Sequence, residues 1–114
     1  MKKKQSIKEL RKEVWKVFST YIRKRDNFIC FTCGKPGNEA GHFIHKNSLD
    51  FNEININCQC PRCNKWLHGN LGEYGIRLIK KYGIKKVEQL KPEGNRVKKF
   101  RREELEEIRE KYGS

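Results

Sequence analysis

The sequence predicts a small α+β domain stapled by one zinc ion, and three observations predict it. Two Cys-x-x-Cys pairs, Cys30/Cys33 and Cys60/Cys63, stand 26 residues apart. Apolar residues at helical spacing open the chain and return after the second pair. Between the pairs lie two short strand-like pieces, Ala40–His45 and Asn55–Gln59, joined by a polar loop. At 114 residues the chain has room for one domain, residues 1–114. Within it we expect a basic amphipathic helix over 6–25, a zinc-bound ββα core over 28–83, and a linker with a C-terminal helix over 84–114.

The first helix follows from Ser6-Ile7-Lys8-Glu9, a hydroxyl N-cap with Glu three residues on. Ile7, Leu10, Val14, Val17, Phe18, Tyr21 and Ile22 then form one apolar stripe, and Asp26-Asn27 ends it. Phe28–Pro36 reads as a β-like entry into a tight knuckle. Gly34 directly follows the second cysteine, where a backbone turning round a metal needs positive φ. Pro61 suits the first turn of a helix. Leu71, Tyr74, Leu78, Ile79 and Tyr82 continue a helical stripe that Gly83 closes. Residues 84–96, with Pro92, Gly94 and Asn95, read as a loop. A charged helix over about 99–112 follows, with Leu105, Ile108 and Tyr112 on one face. The Lys2–Lys4 run reads as a disordered tail.

Composition narrows the function. Only 35% of residues are hydrophobic and 36% are charged, so the core is thin. Two Trp, six Phe and four Tyr, with a metal cross-link, are what can hold it together. No apolar run approaches the roughly 18 residues of a membrane span, and no signal-like segment follows the basic start. The protein is expected in the cytoplasm, without membrane partners. The net charge is +13, and residues 1–25 carry ten Lys/Arg against two Glu. Such a surplus is a footprint for a polyanion, with nucleic acid the favoured partner. Arg23, Lys24 and Arg25, just before the knuckle, are the candidate phosphate contacts.

Five cysteines without a secretory signal argue for metal binding in a reducing compartment. Cys30, Cys33, Cys60 and Cys63 make a tetrahedral Cys₄ site for Zn²⁺, with no position open for catalysis. Cys58 is left over, and packing within the second strand is its expected role. A knuckle, a hairpin and a helix carrying the second cysteine pair are, in that order, the treble-clef arrangement.

Glu39-Ala40-Gly41-His42-Phe43-Ile44-His45 lies between the pairs, Asn55 opens the second strand, and Asn64 follows Cys63. This constellation resembles the HNH (ββα-metal) endonucleases. A wider match joins Val17–Asp26, Ala40–Phe43, the run Gln59-Cys60-x-x-Cys63-Asn64 and Gly69-Asn70-Leu71. Together these resemble the NinG/Rap family of lambdoid phage recombination proteins. The resemblance implies a nuclease acting on branched DNA such as Holliday junctions or D-loops, in the host cytoplasm. His42 then aligns with the general base that activates water, work suited to a neutral imidazole. Asn64 aligns with a ligand of catalytic Mg²⁺ or Mn²⁺, and Asn55 with the residue that ties the loop and orients the histidine. One departure stands out. Many HNH enzymes place an Asp ligand immediately before the histidine, where this chain has Gly41. Glu39 is the nearest acid, and a bulge at Gly41 would bring it to the face of His42. Its plainer role is a surface salt bridge. His45 and His68 are weaker candidates, and Trp66 is expected in the core. Resolving a junction takes two cuts, so a homodimer suits that task. The alternative is a non-catalytic zinc-containing DNA-binding recombination accessory protein. A third reading, an RNA-associated zinc protein, leaves His42, Asn55 and Asn64 unexplained.

Overall fold

The computed structural model describes residues 5–113. The Lys2–Lys4 run therefore lies outside the described residues. The first helix, α1, spans Ile7–Arg25, and Ser6 Oγ accepts the Glu9 N–H at 3.1 Å as its N-cap. Leu10, Val14, Phe18 and Ile22 recur every four residues and are all buried. Asp26 ends the helix, and the chain reverses through Asn27 and Phe28, both with positive φ (55° and 57°). The knuckle that follows is closed by an isolated antiparallel bridge between Ile29 and Pro36, and Gly34 takes φ +79°.

Two strands form one antiparallel sheet. β1 is Glu39–His42 and β2 is Ile56–Gln59, paired Glu39 to Gln59, Ala40 to Cys58, Gly41 to Asn57 and His42 to Ile56. The first strand stops at His42, short of the expected His45. Residues 43–46 leave the ladder because Asn55, just outside β2, takes over the backbone of Ile44. A 3₁₀ turn, Asn47–Leu49, joins the strands. After β2 the chain makes a π-helical turn, Arg62–Trp66, with Pro61 at its N-cap. Helix α2 then runs Leu71–Tyr82, and Gly83 (φ +89°) ends it.

The expected loop over 84–96 is instead two short helices, α3 (Ile84–Glu88) and α4 (Leu90–Gly94). Pro92 falls in the first turn of α4, where its missing N–H removes no helical hydrogen bond. Leu90 is buried, and α4 packs on the 3₁₀ turn, with Gly94 against Leu49. The last helix, α5, spans Arg102–Tyr112, starting after the expected residue 99.

Helices α1 and α5 make the most extensive contact between elements. Leu10, Val14 and Leu105 form one cluster between them, with Phe51, Phe100 and Ile108 packed against it. Phe18, Ile22 and Ile56 form a second, which seats Ala40 and so the sheet. Glu53 ties both helices to the loop before β2, since its carboxylate accepts the Tyr21 and Tyr112 hydroxyls at 2.8 and 3.0 Å. Among the described residues no helix is long and apolar enough to cross a membrane. Trp66, expected in the core, is 80% exposed, because the π-helical turn directs only Cys63 inward.

Candidate functional site

The sulfur atoms of Cys30, Cys33, Cys60 and Cys63 lie within 4.8 Å of one another, a set that can hold a metal ion such as zinc. Cys30, Cys60 and Cys63 are buried and Cys33 partly so. Polar neighbours surround the sulfurs, as an anionic thiolate cluster requires. Thr32 Oγ1 lies 3.2 Å from Cys30 Sγ, the Cys63 N–H donates to Cys60 Sγ at 3.4 Å, and Asn70 Nδ2 donates to Cys63 Sγ at 3.7 Å. Burial disfavours the Cys30 thiolate, but the Thr32 hydroxyl and nearby N–H groups outweigh it and hold that thiol down to about 6. Cys58 is not part of the cluster. It is buried on β2 with its thiol on the Gly37 carbonyl, as its expected packing role requires.

Strand alternation divides the remaining candidates between two faces of the hairpin. Glu39, Gly41, Asn57 and Gln59 face the π-helical turn and α2. There Asn64 Nδ2 donates to Glu39 Oε1 at 2.9 Å, and Lys65 Nζ lies 2.9 Å from Glu39 Oε2. Burial disfavours the Glu39 carboxylate, yet the bonds from Asn64 and Lys65 keep it below its ordinary value. Glu39 thus makes both the salt bridge expected of a surface acid and a direct bond to the candidate metal ligand Asn64. The Tyr74 hydroxyl, fully buried, donates to the Gly41 carbonyl at 2.8 Å and accepts from Asn57 Nδ2 at 3.1 Å. It pins the middle of the hairpin.

The other face looks at α1. His42 stacks on Trp15 with ring centroids 5.1 Å apart and on His45 at 5.0 Å. Its Nε2 lies 3.1 Å from Asp50 Oδ1, and Arg11 Nη2 bonds the other oxygen of that carboxylate. Arg11, Lys12, Trp15, His42, Asp50 and Phe51 line a cleft of about 320 Å³. The bulge at Gly41 that would have brought Glu39 to the face of His42 is absent, because the register runs unbroken from Glu39 to His42. Glu39 and His42 therefore stay on opposite faces, at opposite ends of β1.

Asn55 is fully buried and tied to backbone throughout. Its Oδ1 accepts the Ile44 N–H at 2.9 Å, and its Nδ2 donates to the carbonyls of Ile44 and Leu49. It fixes the loop directly behind His42. Of the basic trio, Lys24 is exposed. Arg23 folds back on Ser19 and Thr20. Arg25 turns inward, to Asp26, the carbonyls of Glu53 and Ile56, and Asn57 Oδ1. His68 is exposed with φ +50°, away from both clusters.

Two residues of this region, Asp50 and Gln59, escape a reading of the sequence. Asp50 follows His42 by eight positions with no motif to mark it, and its role appears only when the loop folds back. Gln59 stands in the Gln59-Cys60 run, but only the folded hairpin sets it over Gly41.

A family model described as "NinG: Bacteriophage Lambda NinG protein" matches residues 1–114. Among curated relatives, Protein ninG of Escherichia phage lambda is 32% identical over 108 residues, which cover 89% of this chain and 52% of the relative. Protein ninG of Salmonella phage P22 is 32% identical over 108 residues, covering 89% of this chain and 53% of its own length. Protein ninG of Enterobacteria phage H19B is 32% identical over 92 residues, or 75% of this chain and 46% of its own. The chain spans about half the length of the curated relatives it matches. No solved structure matches it.

Proposed function

The chain belongs to the NinG family of bacteriophage proteins, and from that premise we propose that it is a metal-dependent endonuclease cleaving branched or structured DNA during phage recombination in the host cytoplasm. The observation that carries this reading is the arrangement of the three HNH-like residues in one hairpin-and-turn unit. Asn55 locks the loop behind His42, and Asn64 stands beside Cys63, bonded to Glu39. The knuckle, hairpin and helix order supports a treble clef, with zinc as its structural ion.

The chemistry follows from these groups. An ionised Asp50 can only accept, so it holds the His42 Nε2–H and leaves Nδ1 as the nitrogen that takes a proton from the attacking water. Asn64 and Glu39 supply hard oxygen atoms for a divalent cation such as Mg²⁺ or Mn²⁺. Such an ion, when bound, neutralises charge on the phosphate and the leaving oxygen. A phosphodiester that reaches both faces of the hairpin across β1 is the substrate position this requires. Lys24 and the exposed lysines of α1, Lys8, Lys12 and Lys16, offer sequence-independent phosphate contacts.

Two observations favour a second reading, a non-catalytic zinc-containing DNA-binding accessory protein. Both oxygens of Glu39 are already engaged, and His42 faces α1. The test is a nicking assay on a labelled four-way junction and its matching linear duplex, with Mg²⁺, Mn²⁺ or EDTA. We expect metal-dependent cutting of the junction, lowered at least 100-fold in His42→Ala with zinc content and junction affinity unchanged. Tight junction binding without cutting under either metal would make the accessory reading the correct one.

A further inference from the structure

Gln59 carries a buried side-chain oxygen with no hydrogen-bond partner, the only such side-chain N or O atom among the described residues. Its orientation is fixed. Gln59 Nε2 donates to the Gly69 carbonyl at 2.8 Å and to Thr32 Oγ1 at 3.1 Å, and turning the amide over would set its oxygen against that carbonyl. Oε1 must therefore point towards Gly41. Asn64 is fixed in the same way, because its Nδ2 donates to Glu39 and its Oδ1 faces the other way. A Cβ built on Gly41 would fall 1.8 Å from Gln59 Oε1 and 3.0 Å from Asn64 Oδ1. Two amide oxygens thus converge over a glycine, and the Glu39 carboxylate lies on the opposite edge of the Asn64 amide.

Converging acceptors without a donor repel one another. A cation relieves that repulsion. We infer that Gln59 Oε1 is an oxygen ligand of a divalent cation held with Asn64 Oδ1, filling from β2 the place that an acidic side chain at position 41 would fill from β1, with Glu39 able to join only on leaving Asn64 Nδ2 and Lys65. The inference rests on the nuclease reading for the ion's purpose, but its geometry stands on these oxygens alone. It also accounts for Gly41. Any side chain there would strike the Gln59 oxygen, so the ligand from β2 and the glycine in β1 require each other. Amide oxygens are neutral, so such a site binds its ion more weakly than one with two carboxylates. Both are hard donors suited to Mg²⁺, Mn²⁺ or Ca²⁺.

The test is Mn²⁺ binding to the zinc-loaded full chain, followed by electron paramagnetic resonance of the free ion, with zinc content and circular dichroism as fold controls. The wild type should bind one Mn²⁺. Gln59→Leu should weaken binding about tenfold or more, the size of loss typical of disturbed metal sites. Since Gln59→Leu also removes the bonds to Thr32 and Gly69, Gly41→Ala provides a second perturbation. Its methyl group would fall 1.8 Å from Oε1 and 2.7 Å from the amide carbon, so it pushes the carboxamide aside without removing its polar atoms, and it should weaken Mn²⁺ to a similar degree. Gln59→Glu, which keeps an oxygen and adds charge, should retain binding. Folded Gln59→Leu and Gly41→Ala chains that bind Mn²⁺ like the wild type overturn the inference. So does a wild type that binds no Mn²⁺ at millimolar metal, its two oxygens then being bridged by water alone. If either result comes with metal-dependent junction cutting, the nuclease reading survives; without cutting, both fall.

Discussion

Replacing Arg25 by alanine discriminates between two roles for the same charge. Arg25 closes α1, and its side chain is only 19% exposed. The guanidinium donates to Asp26 Oδ1 at 2.8 Å, the Glu53 carbonyl at 2.9 Å, Asn57 Oδ1 at 2.9 Å and the Ile56 carbonyl at 3.2 Å. Asp26 in turn accepts the Cys58 N–H at 2.8 Å. One side chain thus ties the end of α1 to the loop before β2 and to β2 itself. Hydrogen bonds to a charged group contribute roughly 1.5–3 kcal/mol each, but they are not additive, and water can enter a partly open site. Truncation that strands a largely buried partner costs about 3–5 kcal/mol, and we take about 3–4 kcal/mol here. At about 2.1 cal/mol/K per residue, a chain of 114 residues unfolds with an entropy of about 0.24 kcal/mol/K, so the melting temperature should fall by about 12–17 °C. Arg25→Lys keeps the charge but loses the planar fork, and should recover less than half of the loss. Thermal melts of the zinc-loaded protein by circular dichroism give the answer. If Arg25 is instead a phosphate contact, Arg25→Ala will melt within about 1 kcal/mol of the wild type while the salt dependence of DNA binding drops by about 0.9 in slope. That pair of results would refute the inward role.

Two further outcomes are expected. Elemental analysis should find about one zinc per chain, and chelation or Cys63→Ser should collapse the knuckle and the hairpin signal together, since metal binding energy at such sites is folding energy; a chain that keeps its fold without metal would remove the cysteine cluster as a staple. Burial disfavours the Asp50 carboxylate, but the bonds from His42 and Arg11 outweigh it and hold the group below its ordinary 3.8. Its folded value is thus the lower one, so its stabilisation is present above about pH 3.8 and is lost as the pH falls through the folded value. The stability difference between wild type and Asp50→Asn, measured by melts from pH 7 to pH 3, should shrink towards the acid end; a constant difference would show that the charge is irrelevant.

What could be read before folding is what depends on near neighbours. Ser6, the four-residue steps of Leu10, Val14, Phe18 and Ile22, and the stop at Asp26 act within one helix, and α1 matches them to a residue. Gly34 and Gly83 take the positive φ their positions call for. The Cys-x-x-Cys turns each present two sulfurs by local geometry, so only their meeting was left to the fold. What could not be read depends on distant partners. Pro92, Gly94 and Asn95 look like loop residues until Leu49 and Ile44 supply the surface that α4 covers. Charge marks Arg25, but its destination on Glu53, Ile56 and Asn57 lies about thirty positions away. Trp66 carries the apolar character of a core residue, and nothing local states that its turn would direct only Cys63 inward.

The pairing of α1 with α5 bears on the order in which the molecule assembles. The two helices are separated by the whole central unit, with Gln5 and Arg102 joined by a hydrogen bond across 97 positions. Closing so long a loop is entropically slow, because non-local contacts reward the chain only after its ends have met. A metal held by Cys30, Cys33, Cys60 and Cys63 would take the intervening segment out of that search. The Leu10, Val14 and Leu105 seam cannot be buried until both helices meet, so a metal-held knuckle would be the natural nucleus and the helical clasp the last step. Mutations at the Leu10, Val14 and Leu105 seam should accordingly speed unfolding while leaving the refolding rate nearly untouched.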